Sequence, residues 1–311
     1  MPLALSAHHL SKRYPKAPEG VQALSDVDLD IPTGVTHGLI GRNGAGKTTF
    51  VRIAATQLAP TSGSIAVFGH DVLTDPRSVR ARIACIPQES RPLYFLKVEE
   101  VVFLYLKMRG LEPSDARRRT RDVLAELELT EQRHELVSHL SGGLRRRALV
   151  AMVFASDAEL LFLDEPTTGL DPLARRQVWD AIRHANRDRR TVVLTTHYLD
   201  EAEALSARLA LIERGKVLLS GTPEELRARL PYPYRVTISG SVPTEMLQPY
   251  GRVTPIEGGH LVLAKEADAR DLARWGLEHG HRLSLGPVSL EDLFLEVVGR
   301  PLTESDGEVE T

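Results

Sequence analysis

The chain has 311 residues, with 39 Lys and Arg against 42 Asp and Glu, a formal charge of −3. That balance excludes a polycationic nucleic-acid coat, and 42% hydrophobic content excludes a disordered chain. A single cysteine, Cys85, excludes an internal disulfide framework and any multi-cysteine zinc site. At roughly 150 residues per domain, two domains are expected. The apolar runs at residues 160–163 and 191–194 fall far short of the ~20 residues a membrane-spanning helix needs. Residues 1–12 lack a charged segment followed by an apolar one, so no secretory signal is expected. A soluble protein that reaches any membrane through a partner is expected.

Val27, Leu29 and Ile31 alternate with Asp26, Asp28 and Asp30, which predicts a half-buried antiparallel strand. Residues 36–41 read as a buried strand ending in glycine. Residues 46–58 have helical spacing, and the run Pro60, Thr61, Ser62, Gly63 stops them. Strands follow at 64–68 and 83–86. The pattern turns helical from 88 to 150, and about 90–150 are expected to form an inserted helical subdomain. Short apolar strands at 160–164, 191–195 and 209–213 alternate with helices at 173–187 and 200–205. That alternation predicts an α/β fold with a mostly parallel sheet.

Thr222, Pro223 and Glu225 spell a helix start, with Thr222 as cap, Pro223 at the first helical position and Glu225 bonding back. The helix is expected to end near Leu230, and Pro231, Tyr232 and Pro233 read as a linker. The predicted domains are therefore 1–230 and 231–300. Within the second, strand 234–239, helix 243–249, strands 252–256 and 260–264, helix 267–279, strand 281–286 and helix 289–298 give the order β-α-β-β-α-β. That is a small α+β, ferredoxin-like unit. Residues 301–311 read as a disordered acidic tail.

Gly41, Arg42, Asn43, Gly44, Ala45, Gly46, Lys47 and Thr48 match the phosphate-binding loop pattern, between a predicted strand and a predicted helix. Glycines let successive backbone N–H groups approach a phosphate, and the helix N-terminus adds partial positive charge. Lys47 supplies a full charge, and Thr48 offers a hydroxyl to Mg²⁺. The strand at 160–164 ends in Asp164 and Glu165. Asp164 is placed to hold Mg²⁺ and Glu165 to polarise an attacking water. Two adjacent carboxylates at the end of a buried strand are unfavourable without a cation, which favours function over structure.

Leu140, Ser141, Gly142, Gly143 and Leu144 open a helix. With the loop, Gln88 after a strand, Asp164 and Glu165, the Gly169, Leu170, Asp171 run and His197, they stand in the order seen in ATP-binding cassette (ABC) ATPases, which residues 3–230 resemble. The resemblance implies a P-loop ABC ATPase core using ATP and Mg²⁺. It implies that Tyr14 stacks on adenine, that residues 43–49, including Thr49, bind the phosphates, and that Gln88 senses the γ-phosphate and Mg²⁺. It implies that Ser141, Gly142 and Gly143 meet the nucleotide of an opposite subunit, that Asp171 crosses the dimer interface, and that His197 contacts the γ-phosphate. A signature at a helix start is a second anion site, which makes most sense in trans. The chain departs from the family at Leu144, where glutamine is usual.

The closing run 289–299 and residues 195–203 resemble the ATPases of ABC-2 type exporters. This implies a homodimer, or a heterodimer with a second cassette, on separate integral membrane permease subunits at the cytoplasmic face. The alternative is a soluble, non-transport cassette protein. The arginine runs 117–119 and 145–147 read as solvated helix faces or subunit contacts. No aromatics interleave with them, so nucleic acid is not an expected partner. Cys85 reads as buried and inert.

Overall fold

The computed structural model describes residues 2–15, 20–86 and 95–299. The chain opens with an antiparallel pair, β1 (Leu3–Tyr14) and β2 (Val21–Pro32). Val27, Leu29 and Ile31 of β2 are buried while Asp26, Asp28 and Asp30 are exposed, as their alternation predicts. Then come β3 (Thr36–Ile40), α1 (Lys47–Ala54), β4 (Ser62–Val67), the short β5 (His70–Asp71), α2 (Pro76–Arg82) and β6 (Ile83–Ile86). A helical stretch follows, α3 (Val98–Met108), α4 (Pro113–Glu126) and α5 (Gly142–Ala155). The chain then alternates through β7 (Leu160–Asp164), α6 (Pro172–Arg187), β8 (Thr191–Thr196), α7 (Leu199–Leu205), β9 (Arg208–Glu213) and β10 (Lys216–Gly221).

Two sheets result, an antiparallel one in the order β2-β1-β4-β5 and a six-stranded one in the order β10-β9-β3-β8-β7-β6. From β9 to β6 the second sheet is parallel, with Ile40 beside Thr196 and Thr195 beside Asp164. Alternate residues of its strands serve two cores. Leu161, Leu163, Val192 and Leu194 pack with α3 to α6, whereas Leu160, Phe162 and Val193 pack with α1 and the antiparallel sheet. A strand buried on both faces must be apolar throughout, which is why 160–163 carries no polar residue.

Contacts divide the chain between Ser220 and Gly221. The second unit holds α8 (Pro223–Arg227), β11 (Tyr234–Ser239), α9 (Thr244–Leu247), β12 (Arg252–Ile256), β13 (Gly259–Ala264), α10 (Glu266–Glu278), β14 (Arg282–Pro287) and α11 (Leu290–Val298). Its sheet runs β12-β13-β11-β14, and every pair is antiparallel. The capping box at Thr222 and Glu225 forms as expected. The division falls ten residues before the expected one at 230. The helix α8 packs against α11, and the Pro233 carbonyl accepts from Val288 N (3.1 Å), tying the proline run into the sheet.

One other expectation shifts. The helix α1 ends at Ala54, not residue 58, and Thr56 turns to a left-handed φ of 61° before the proline run. The strand β1 carries no clean alternation, because its register with β2 slips between Ala7 and Leu10. Among the described residues no helix is long and apolar enough to cross a membrane.

His37, on β3, is fully buried, and neither ring nitrogen has a hydrogen-bond partner among the described residues. Burial, and secondarily the charge of Arg208, push its pKa down to about 4. The unfolded chain therefore takes up this proton first as pH falls below about 6.5. Stability should decline by about 3 kcal/mol between pH 6.5 and 4 from this group alone. Urea unfolding of His37→Leu across that window should give a flatter dependence than the native chain.

Candidate active site

The site is built at the carboxyl edge of the parallel sheet, where β3, β8 and β7 end side by side. Gly41 leaves β3 so close to β9 that a Cβ there would lie 2.2 Å from the Ile212 carbonyl oxygen. Gly46 caps α1 with φ 112°, a conformation that excludes a side chain. Between them the loop folds around Lys47. The Lys47 ammonium is buried and donates to the carbonyls of Gly41 (2.6 Å) and Arg42 (3.0 Å). It lies 3.7 Å from Glu165 Oε1.

Asp164 and Glu165 are both buried. Thr195, at the end of β8, donates its hydroxyl to Asp164 Oδ1. Burial holds the Asp164 carboxyl above the usual range, against the opposing pull of the Thr195 and Thr48 hydroxyls and Lys47. Burial likewise holds Lys47 below its ordinary value, against Glu165 and Asp164. A carboxylate and an ammonium whose charged forms burial disfavours suit a ligand that brings a cation and an anion together. The Asp164 carboxylate and Thr48 hydroxyl are hard oxygen donors, which fits Mg²⁺.

Glu165 adopts a left-handed φ of 49°, rare for a non-glycine residue. Its N–H is held by the backbone and side-chain oxygens of Thr195, both at 3.1 Å. His197 Nδ1 lies 3.3 Å from Glu165 Oε1. The His197 ring, then Lys47, hold the Glu165 carboxyl below its ordinary range despite burial. Thr168 donates to Oε2 at 3.3 Å.

A cavity of about 190 Å³ opens beside the loop, lined by residues 43–49, Val21, Ala23 and Glu165. It is smaller than the roughly 300–1,000 Å³ of a complete ligand pocket. Ser141, Gly142 and Gly143 are absent from its lining. Ser141 caps α5 by accepting from Leu144 N at 3.3 Å, and both Ser141 and Gly142 face solvent. Leu144 packs against the helical core, so this position is used for packing here. Asp171 is the cap of α6, accepting from the N–H groups of Leu173 and Ala174 at 2.9 Å. Tyr14 is half-buried, its hydroxyl 3.4 Å from Thr49 Oγ1. Gln88 lies outside the described residues. The Cys85 thiol is half-buried, and burial pushes its pKa up to about 12.

Residues not singled out from the sequence complete the setting. Arg146 and Arg147 are half-buried and bonded within the chain, so they do not form a freely solvated face. Arg147 donates to Gln177 Oε1 (2.5 Å) and the Leu127 carbonyl (3.2 Å), while Arg146 reaches the end of β7. In the 117–119 run Arg117 and Arg118 are exposed as expected, Arg118 paired with Asp115. Arg117 lies over the Phe103 ring, and Arg119 donates to the Ala155 carbonyl (3.4 Å). One signal was available: α5 is apolar over most of its surface from Ala148 onward, so arginines in its first turns need buried acceptors. Glu201, fully buried on α7, accepts from Thr167 Oγ1 (2.7 Å) and Trp179 Nε1 (3.0 Å).

The ABC transporter family pattern matches residues 24–168. The daunorubicin/doxorubicin resistance ATP-binding protein DrrA of Streptomyces peucetius is 41% identical over 215 residues, 69% of this chain and 65% of the relative. The daunorubicin resistance ATP-binding protein of Streptomyces coeruleorubidus is 39% identical over 225 residues, 72% of this chain and 70% of the relative. The chain belongs to the ABC transporter family. As a member of that family it is an ABC ATPase. The chain thus spans just under two thirds of the first relative. A solved ATP-binding subunit of an ABC transporter superposes with a TM-score of 0.67 at 27% identity, over 73% of this chain and 92% of its own.

The Glu201 contacts tie the segment after Glu165 to the helix after His197. Burial raises the Glu201 pKa above the ordinary 4.5. Its favourable contribution is therefore greatest at low pH and fades as pH rises through the raised value. Glu201→Gln, permanently neutral, should lose less stability than the native chain between pH 5 and 8. Glu201→Leu, which strands two donors, should be less stable by roughly 2 kcal/mol in chemical denaturation.

Proposed function

We propose that the chain is the ATP-binding and ATP-hydrolysing subunit of an ABC-2 type exporter. The carrying observation is the Glu165 carboxylate, 3.7 Å from Lys47 Nζ and 3.3 Å from His197 Nδ1, on the wall of the phosphate cavity. In this reading the backbone of residues 41–49 and Lys47 hold the phosphates, with Asn43 and Thr49 at the rim. Thr48, Asp164 and Gln88 hold Mg²⁺, which neutralises charge on the phosphates. Glu165 accepts the proton of the attacking water, and His197 orients that carboxylate and meets the γ-phosphate. Tyr14 stacks on the base.

The small cavity and the exposed signature support a shared site. Two chains pair head to tail, so that Ser141, Gly142 and Gly143 of one complete the cavity of the other, with Asp171 at the seam. Helices α3 to α5 form the inserted helical subdomain, and β11 to β14 the ferredoxin-like accessory domain. The pair drives separate integral membrane permease subunits from the cytoplasmic face. The names of the two Streptomyces relatives support a drug-like molecule as cargo.

Tyr14→Ala should weaken nucleotide binding by about 1–3 kcal/mol, the range for a base stacked on an aromatic ring. An unchanged dissociation constant assigns Tyr14 to packing. The shared site is tested by mixing a Lys47→Ala chain with a Ser141→Arg chain. Each homodimer carries one lesion in both sites, whereas a mixed dimer has one site free of lesions. Random pairing makes half the dimers mixed, so turnover should exceed that of either chain alone, to a ceiling of about a quarter of native. Native turnover by the Ser141→Arg chain alone rules the shared site out.

A further inference from the structure

Arg146 lies on α5, one turn after Gly142, and its guanidinium bonds to the backbone at the end of β7. Nη2 donates to the carbonyls of Asp164 (2.5 Å) and Glu165 (2.7 Å), and Nε donates to the carbonyl of Pro166 (3.2 Å). Three successive carbonyls at the end of β7 thus converge on one cation. They converge because the left-handed backbone at Glu165 turns the chain. Carbonyls leaving a sheet in a dry interior need donors, and a planar guanidinium can serve several at once. The other end of α5 is also held: Arg190 donates to the carbonyls of Phe154 (2.9 Å) and Val153 (3.3 Å). The helix is therefore anchored at both ends.

We propose that Arg146 is a positioning residue that ties the signature helix to the backbone of Glu165 in the same chain, setting the aim of the hydrolytic carboxylate. The proposal rests on the ATPase reading above. Through Arg146, a shift of the helix that carries Ser141 is felt at Glu165. The nucleotide that meets the signature and the nucleotide that meets Glu165 belong to different sites of the dimer, so this contact couples the two. The guanidinium also places positive charge behind both carboxylates, which interact with it electrostatically.

The test uses the full chain with Mg²⁺ and ATP. Arg146→Met keeps the aliphatic stem and removes the fork and the charge; Arg146→Lys keeps the charge and removes the fork. Both should bind a fluorescent ATP analogue within about twofold of the native chain and lose at least tenfold in kcat, the pattern of an interaction needed for the chemical step and not for binding. Either soluble variant turning over within twofold of native overturns the proposal. So does a weakened affinity with kcat unchanged. If Arg146→Met does not fold, Arg146→Lys carries the test by its kcat and affinity. A native chain that binds but never hydrolyses ATP would instead overturn the ATPase reading itself, and Glu165→Gln turning over normally would overturn the catalytic role given to Glu165.

Discussion

Burying two adjacent carboxylates is the constraint around which the first unit is arranged. Strand β7 is apolar through residue 163 and then delivers Asp164 and Glu165 into a dry edge. Isolated charges in such a place would be severely disfavoured. Each neighbour answers that demand. Lys47 comes from the loop after β3, the Thr195 hydroxyl from the end of β8, and Arg146 from α5. None of these is adjacent to the pair in sequence, so the carboxylates exist only in the assembled fold.

The strand order makes the assembly possible. Placing β8 between β3 and β7 puts the phosphate loop, His197 and the acid pair on three consecutive strand ends. Open parallel sheets offer ligands a crevice at this edge. The electrostatic outcome is a site in which burial lowers the pKa of Lys47 and raises that of Asp164. A magnesium nucleotide carries charges of both signs in the right places to relieve them.

Much of this was legible from residues alone, for identifiable reasons. The acid pair stood out because charge following an apolar run breaks a pattern, and the loop stood out because glycine, lysine and threonine recur at fixed spacing. Arg146 was legible only as an arginine in the first turns of an apolar helix; its partners are backbone carbonyls, which leave no mark on a sequence. The end of α1 was overread because Leu58 continues the apolar spacing past a left-handed Thr56. The division near 220 was hidden because prolines at 231 and 233 imitate a linker, while the contacts part at the close of β10 with no compositional change. His37 gave no sign of itself, because a lone histidine in an apolar strand reads the same whether paired or orphaned.

The state of the one native thiol has a practical consequence. Cys85 is the chain's single cysteine, and its thiol, pushed up to about 12, carries almost no thiolate at neutral pH. Maleimide and disulfide reagents attack the thiolate, so they will pass this residue by in the folded protein. A cysteine introduced on an exposed surface, for instance at Ser141 or on the second unit, would then be labelled selectively without first removing a native group. The chain is in effect ready for paired spin labels or fluorophores, whose distances would report directly how its two units and any second copy are arranged.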